Sequence, residues 1–168
     1  MVYGFSALLG VVLLGVDQGL KAYISAYLPL GQRQALWPGV VELMTVHNYG
    51  AAWSSFSGMR WLLVAVTAAI LIVLAVLLLK RIVRYPLGVL SCALLLSGGL
   101  GNIIDRLRLG YVVDMFHLEF WPSYPVFNVA DLCIVLGAVL GAVYYLWFYE
   151  KYDQRGKRDG DHNTTSTV

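Results

Sequence analysis

The chain has 168 residues, 59% of them hydrophobic and 13% charged, with a formal net charge of +2 and a mean hydropathy of +0.69. A soluble domain carries about a quarter charged residues, so this composition excludes an ordinary soluble globule and points to an integral membrane protein built as one compact bundle. The small, scattered positive charge gives no ground for a nucleic-acid partner, and Cys92 and Cys133 lie in apolar runs without metal-ligand spacing.

A helix needs about twenty mostly apolar residues to cross the hydrocarbon core, and four stretches have that length. The first runs from about Val2 to Ile24 and contains Asp17 and Lys21 near its end. It lacks a basic flank and a small-residue cleavage site, so it is expected as a retained span and not a cleaved leader. Asp17 and Lys21 are four residues apart on one helix face. They read as a self-neutralising pair that knits spans together, with a direct part in chemistry as the alternative. After this span, "VVELMTVHN" (40–48) alternates in a way that suits a short strand. In "HNYGAAWSSF" (47–56), Asn48 and Gly50 either turn the chain or offer backbone groups to an extended peptide.

The second span, Trp61–Leu79, is nineteen residues without a charge, and "KRIVR" (80–84) follows it. The third, from Tyr85 to about Ile104, ends in "GGLGNIIDR" (98–106). Gly98, Gly99 and Gly101 allow a neighbouring helix to come close. Asn102 and Arg106 share a face, with Asp105 beside them. The third glycine of a GxGxxG pattern, whose place Ile104 takes, and a preceding strand are both missing, so this is no nucleotide loop. "VVDMF" (112–116) is expected to pair with the earlier strand in a small sheet on the helix ends. "FWPSYPVF" (120–127) suits the headgroup level as a plain aromatic belt or a substrate contact, and Pro122 and Pro125 bend the chain back into the fourth span, from about Val126 to Tyr149. Residues 150–168 read as a polar, disordered cytoplasmic tail in which the N-x-T sequon at Asn163 is taken as chance. No internal repeat appears. The expectation is one four-span domain, 1–149, with long loops at 25–60 and 105–125.

Basic residues set the orientation. Lys80, Arg81 and Arg84 in one short turn, with Lys151, Arg155, Lys157 and Arg158 in the tail, place both termini in the cytoplasm and both long loops outside. Asp114 and Asp131 then meet at the outer surface. Acids at membrane level are costly and default to a functional hypothesis. Two buried carboxylates a few ångströms apart cannot both ionise cheaply, so the pair shares a proton. That state suits amide hydrolysis: one acid takes a proton from water while the other donates to the carbonyl oxygen. Two unrelated acids, each paired with an arginine, remain the plain alternative from spacing alone. Other chemistries find little support. No HExxH occurs, His47, His117 and His162 are scattered, and Ser54, Ser55 and Ser57 lack a GxSxG elbow. A small proton-coupled transporter using the same acids as a relay is the rival from another class, and it predicts acids at the midplane and paired broken helices.

The blocks "DQGLK" (17–21), "NYGAAW" (48–53), "GNIIDR" (101–106), "VVDMF" (112–116) and "FNVAD" (127–131) occur in this order across the chain. Together they resemble the bacterial lipoprotein signal peptidase family, signal peptidase II, over most of residues 10–140. The resemblance implies a mainly α membrane fold of four transmembrane helices in the bacterial cytoplasmic membrane, with a small extracytoplasmic β-cradle and a short surface helix. It implies an aspartic endopeptidase that cuts diacylglyceryl-modified prolipoproteins just before the lipidated cysteine. Asp114 and Asp131 correspond to the catalytic dyad. Asn48, Gly50, Asn102, Arg106 and Asn128 correspond to the polar positions around the site, and Asp17, Lys21 and Asp105 to supporting ones. No metal or organic cofactor is implied, and membrane lipids and the substrate are the expected partners of a monomer. Tyr49, Trp53 and Met115 depart from the residues usual in the family and are the positions where the groove is expected to differ.

Overall fold

The computed structural model describes residues 1–51 and 55–154. Trp53, Ser54 and the part of the tail from 155 to 168, with Asn163, lie outside the described residues. Among the described residues four helices are long and apolar enough to cross a membrane: α1 (Val2–Tyr27), α2 (Arg60–Leu79), α3 (Pro86–Arg108) and α4 (Val129–Trp147). Both α1 and α3 continue past the ends that hydropathy suggests, because the polar residues there find partners inside the protein. Lys21, Asp105 and Arg106 are all buried. By contrast, α4 starts later than expected. Asn128 is its N-cap, in a capping box with Asp131, and a cap sets a helix start more firmly than hydropathy does.

The central helix is α3: 61% of its span is buried, against 6% for α2. Small residues make this possible. A Cβ at Gly98 would lie 2.3 Å from the Ala130 carbonyl oxygen on α4, and one at Gly101 would lie 2.7 Å from Asp17 Oδ2 on α1. Both neighbours therefore sit closer to α3 than any side chain at these positions would permit. α2 leans on α3 through Leu71 against Gly99. It has no comparable contact with α1 or α4 among the described residues, so a gap opens on either side of it.

At one end of the bundle lies a three-stranded antiparallel sheet, in the order β1 (Arg33–Trp37), β2 (Val41–Asn48), β3 (Val112–Leu118). The sequence pattern announces β2 and β3. It does not announce β1, whose five residues are all exposed, leaving no alternation to read. A bulge interrupts the β2–β3 pairing between Leu43, opposite Phe116, and Val46, opposite Asp114. Inside it, Thr45 Oγ1 donates to the Leu28 carbonyl at 2.6 Å, satisfying the free end of α1. Beneath the sheet, Met115 is fully buried against Ile24 and Leu28.

On the far side of β3, Phe127 pairs with Phe116. Phe116 N–H donates to Phe127 O at 2.8 Å, and Phe127 N–H donates to Phe116 O at 3.1 Å. This pairing draws the chain entering α4 against β3 and sets Asn128 and Asp131 beside Asp114. In the loops at this end no helix occurs among the described residues, so the short surface helix implied by the resemblance has no counterpart there.

At the other end, Tyr149–Gln154 forms a π-helical turn. Its buried Asp153 accepts hydrogen bonds from the N–H groups of Arg84 (3.1 Å) and Tyr85 (3.3 Å) and from the Tyr144 hydroxyl. The start of the expected tail is thus held against the bundle, where it fixes the turn that leads into α3.

Candidate active site

The site rests on a buried ionic knot. Lys21 Nζ lies 2.8 Å from Asp17 Oδ2 and 3.0 Å from Asp105 Oδ2, joining α1 to α3. Asp17 Oδ1 accepts the Ala130 N–H of α4 at 2.8 Å, and Asp105 Oδ2 also accepts the Val113 N–H of β3 at 3.1 Å. Two carboxylates and one ammonium therefore fix three helices and a strand. With one partner removed, the remaining buried charges would cost several kcal/mol. Gln18 supports the knot, its Nε2 donating to Asp105 Oδ1 at 3.0 Å and to the Gly101 carbonyl at 3.2 Å.

From the knot an amide relay leads to the two aspartates. An ammonium only donates, so Lys21 takes the carbonyl oxygen of Asn102 (3.1 Å) and turns its NH₂ to Asp131 Oδ1 (2.8 Å). Asp131 Oδ2 receives the Asn128 backbone N–H at 3.2 Å. The Asn128 side chain accepts the Asp131 N–H at 2.9 Å and donates to Asp114 Oδ1 at 2.7 Å. One residue therefore touches both acids, and Asn128 is wholly buried. The second oxygen of Asp114 receives Asn48 Nδ2 at 3.0 Å.

Asp114 itself is only 2% exposed. Burial first, and then the negative charge of Asp131, push its carboxyl from the ordinary 3.8 up to about 7, against the pull of Asn48, Asn128 and Lys21.

Both acids line a cavity of about 630 Å³. Asn48, Asn102 and Arg106 share its polar wall, while Leu63 and Thr67 of α2 with Ile134 and Val135 of α4 form an apolar part between those two helices. A small concave site, mostly apolar with a few convergent polar groups, is the usual form of a substrate pocket.

Every site residue named from the sequence falls within this network, although their positions differ in kind. Asn48, Asn102, Arg106, Asp114 and Asp131 reach the cavity. Asn128 does not line it and acts as the bracket between the acids. Gly50 does not line it either: its N–H is taken by Asn48 Oδ1 at 2.9 Å and its carbonyl by Arg106 Nη2 at 2.7 Å. It clamps the 48–51 turn, and neither backbone group is free for a peptide. Asp17, Lys21 and Asp105 lie behind the acids. Met115 faces α1, away from the cavity, and Tyr49 is exposed beside Tyr111, so neither reshapes the groove. Gln18 and the apolar wall carry no signal in the sequence that separates them from any other polar or span residue.

Comparison with known proteins points to one family. A family model described as signal peptidase (SPase) II matches residues 9–148. A lipoprotein signal peptidase of Lactococcus lactis subsp. lactis (strain IL1403) is 41% identical over 134 residues, covering 77% of this chain and 87% of that protein. One from Enterococcus faecalis (strain ATCC 700802 / V583) is 32% identical over 157 residues, covering 94% of each. A solved bacterial membrane enzyme, obtained by the in meso method at 2.3 Å, superposes with a TM-score of 0.80 at 29% identity over 89% of this chain and 90% of that one.

Proposed function

The chain belongs to the signal peptidase II family and is a multi-pass membrane peptidase; on that premise we propose that it removes signal peptides from diacylglyceryl-modified prolipoproteins by an aspartic mechanism centred on Asp114 and Asp131. The observation that carries this reading is the Asn128 bracket, which holds together the two carboxyls that line one cavity.

In this reading the pair shares one proton. The ionised carboxylate accepts a proton from water as its oxygen attacks the scissile carbonyl carbon, and the protonated carboxyl donates to the carbonyl oxygen. When the tetrahedral intermediate collapses, a proton passes to the departing nitrogen. The signal peptide leaves with a new carboxylate, and the lipidated cysteine gains a free amine. Asn48, Asn102 and Asn128 hold the carboxyls in register and require little reorganisation during reaction. Arg106 keeps the 48–51 turn over the cavity.

Access is lateral. The apolar wall between α2 and α4 gives a lipid-borne substrate a route from the bilayer, and diacylglyceryl chains resting there register the bond before the cysteine against the acids. The enzyme works as a monomer in the bacterial cytoplasmic membrane, with its termini in the cytoplasm and its sheet outside. The basic "KRIVR" turn at the opposite end supports that orientation. Nothing favours the transporter: both acids lie at the sheet end, and all four spans are continuous helices.

The test uses purified protein in detergent with a diacylglyceryl-modified prolipoprotein and its unmodified twin, and mass spectrometry to locate the cut. The expected result is cleavage immediately before the lipidated cysteine, with the unmodified twin cut at least about tenfold more slowly, a difference of about 1.4 kcal/mol. Cleavage elsewhere, or equal rates for the two substrates, overturns the substrate assignment.

A further inference from the structure

A second groove runs along the bundle on the other side of α2. It encloses about 330 Å³ and shares no lining residue with the active-site cavity. Tyr3 and Leu14 mark its ends on α1, Leu79 belongs to its α2 wall, and Ala93 and Ser97 form its floor on α3. The groove exists because α1 and α2 each rest on α3 without packing together. Its floor is apolar in effect, since the Ser97 hydroxyl is already donated to the Gly10 carbonyl at 2.9 Å.

The dimensions select the occupant. From residue 3 to residue 14 a helix rises about 16 Å, half of the roughly 30 Å hydrocarbon core. A transmembrane peptide needs the full thickness, whereas an acyl chain needs one leaflet. The mouth is charged. Lys80 and Arg81 follow Leu79 directly, and the Arg81 guanidinium lies 5.7 Å from the Tyr3 ring centroid. Tyr3 hydroxyl donates to the Val83 carbonyl at 2.7 Å, which ties this basic turn to α1. Among the described residues neither Lys80 nor Arg81 has an acidic partner. The nearby Asp153 is buried and already receives the backbone N–H groups of Arg84 and Tyr85.

We propose that this groove holds one acyl chain of an anionic phospholipid, whose phosphate sits on Lys80 and Arg81 in the leaflet opposite the active site. The site is independent of the peptidase chemistry, because none of its residues belongs to the catalytic network.

Native mass spectrometry of the full chain in detergent tests it, with titrations of phosphatidylglycerol, phosphatidylcholine of the same chains, and glycerol phosphate. Wild type is expected to retain phosphatidylglycerol at lower concentration than phosphatidylcholine and to bind no glycerol phosphate. Arg81→Gln reduces the preference about fivefold, while Arg108→Gln, at the sheet end, leaves it unchanged. Ala7→Trp and Leu14→Trp, which fill the groove at two depths, weaken retention of both lipids while prolipoprotein cleavage continues at the wild-type rate. Equal retention of the two lipids, binding of glycerol phosphate as tightly as the lipid, an equal loss with Arg108→Gln, or undiminished retention in both tryptophan variants each overturns the proposal.

Discussion

Lys21 has donors only, and that restriction orients the whole site. It compels Asn102 to present its carbonyl oxygen inward, which leaves the amide NH₂ for Asp131. The same scale explains what the sequence reveals. Asp114 and Asp131 stand out because a carboxylate in apolar surroundings is costly and needs a reason. Gln18 does not, since an uncharged amide on a helix is unremarkable until its partners on α3 are known. Asn128 enters only through the family resemblance, and the Phe116–Phe127 pairing shows why it brackets two acids.

The raised Asp114 pKa has two consequences that share one cause. If the pair must hold a proton to work, kcat/KM falls with rising pH above about 7, approaching tenfold per pH unit. Stability moves the same way. In the unfolded chain this carboxyl ionises near 3.8, whereas the folded protein keeps it protonated until about 7. Between these values the unfolded state binds fewer protons, so stability is full below about 4 and declines as pH rises to 7, by on the order of 4 kcal/mol. Melts in detergent across that range should show this slope in wild type and a shallower one in Asp114→Asn. A variant with an unchanged slope would mean that another group carries the dependence.

At the scale of elements, close helix approach is the decisive feature. α4 delivers Asp131 only because Gly98 lets the Ala130 carbonyl come to where a Cβ would stand. Gly98→Ala is therefore expected to lower stability by about 1–3 kcal/mol and to cut cleavage by roughly 100-fold, the usual cost of displacing a catalytic group by about an ångström. Gly4 has nothing within 4 Å of its notional Cβ, and Gly4→Ala should instead be neutral or stabilising by up to about 1 kcal/mol. Paired melts and cleavage assays compare the two. Equal behaviour would show that the α3–α4 contact yields easily.

The glycine run in "GGLGNIIDR" makes this approach legible in advance. The four spans are legible as well, because hydrocarbon tolerates few other patterns. The exposed strand β1 is not, since neither face is buried. Nor is the bulge at Thr45, which depends on the position of the α1 end. The hold of Asp153 on the turn before α3 also escapes sequence reading, because a hydrogen bond across 69 positions leaves no local pattern.

Over the whole molecule the two ends have different work. The sheet end gathers the carboxyls, the amide relay and the cavity that opens between α2 and α4. The other end carries the basic turn and the aromatic packing of Tyr85 with Phe148 and Tyr152. This polarity predicts sidedness. In intact cells a membrane-impermeant thiol reagent should label Gln34→Cys on the exposed β1 strand, and label Lys80→Cys only after lysis. The reverse pattern would invert the topology and place the site on the wrong face for an exported substrate.

The central claim is that Asp114 and Asp131 together activate water. Single-turnover cleavage of a diacylglyceryl-modified prolipoprotein by wild type, Asp114→Asn and Asp131→Asn tests it most directly, with melts to confirm that each variant is folded. Loss of at least about 100-fold in each folded variant, the usual range for removing a general acid or base, is the predicted result. Cleavage near the wild-type rate by either folded variant would contradict the dyad and make that carboxylate part of the scaffold.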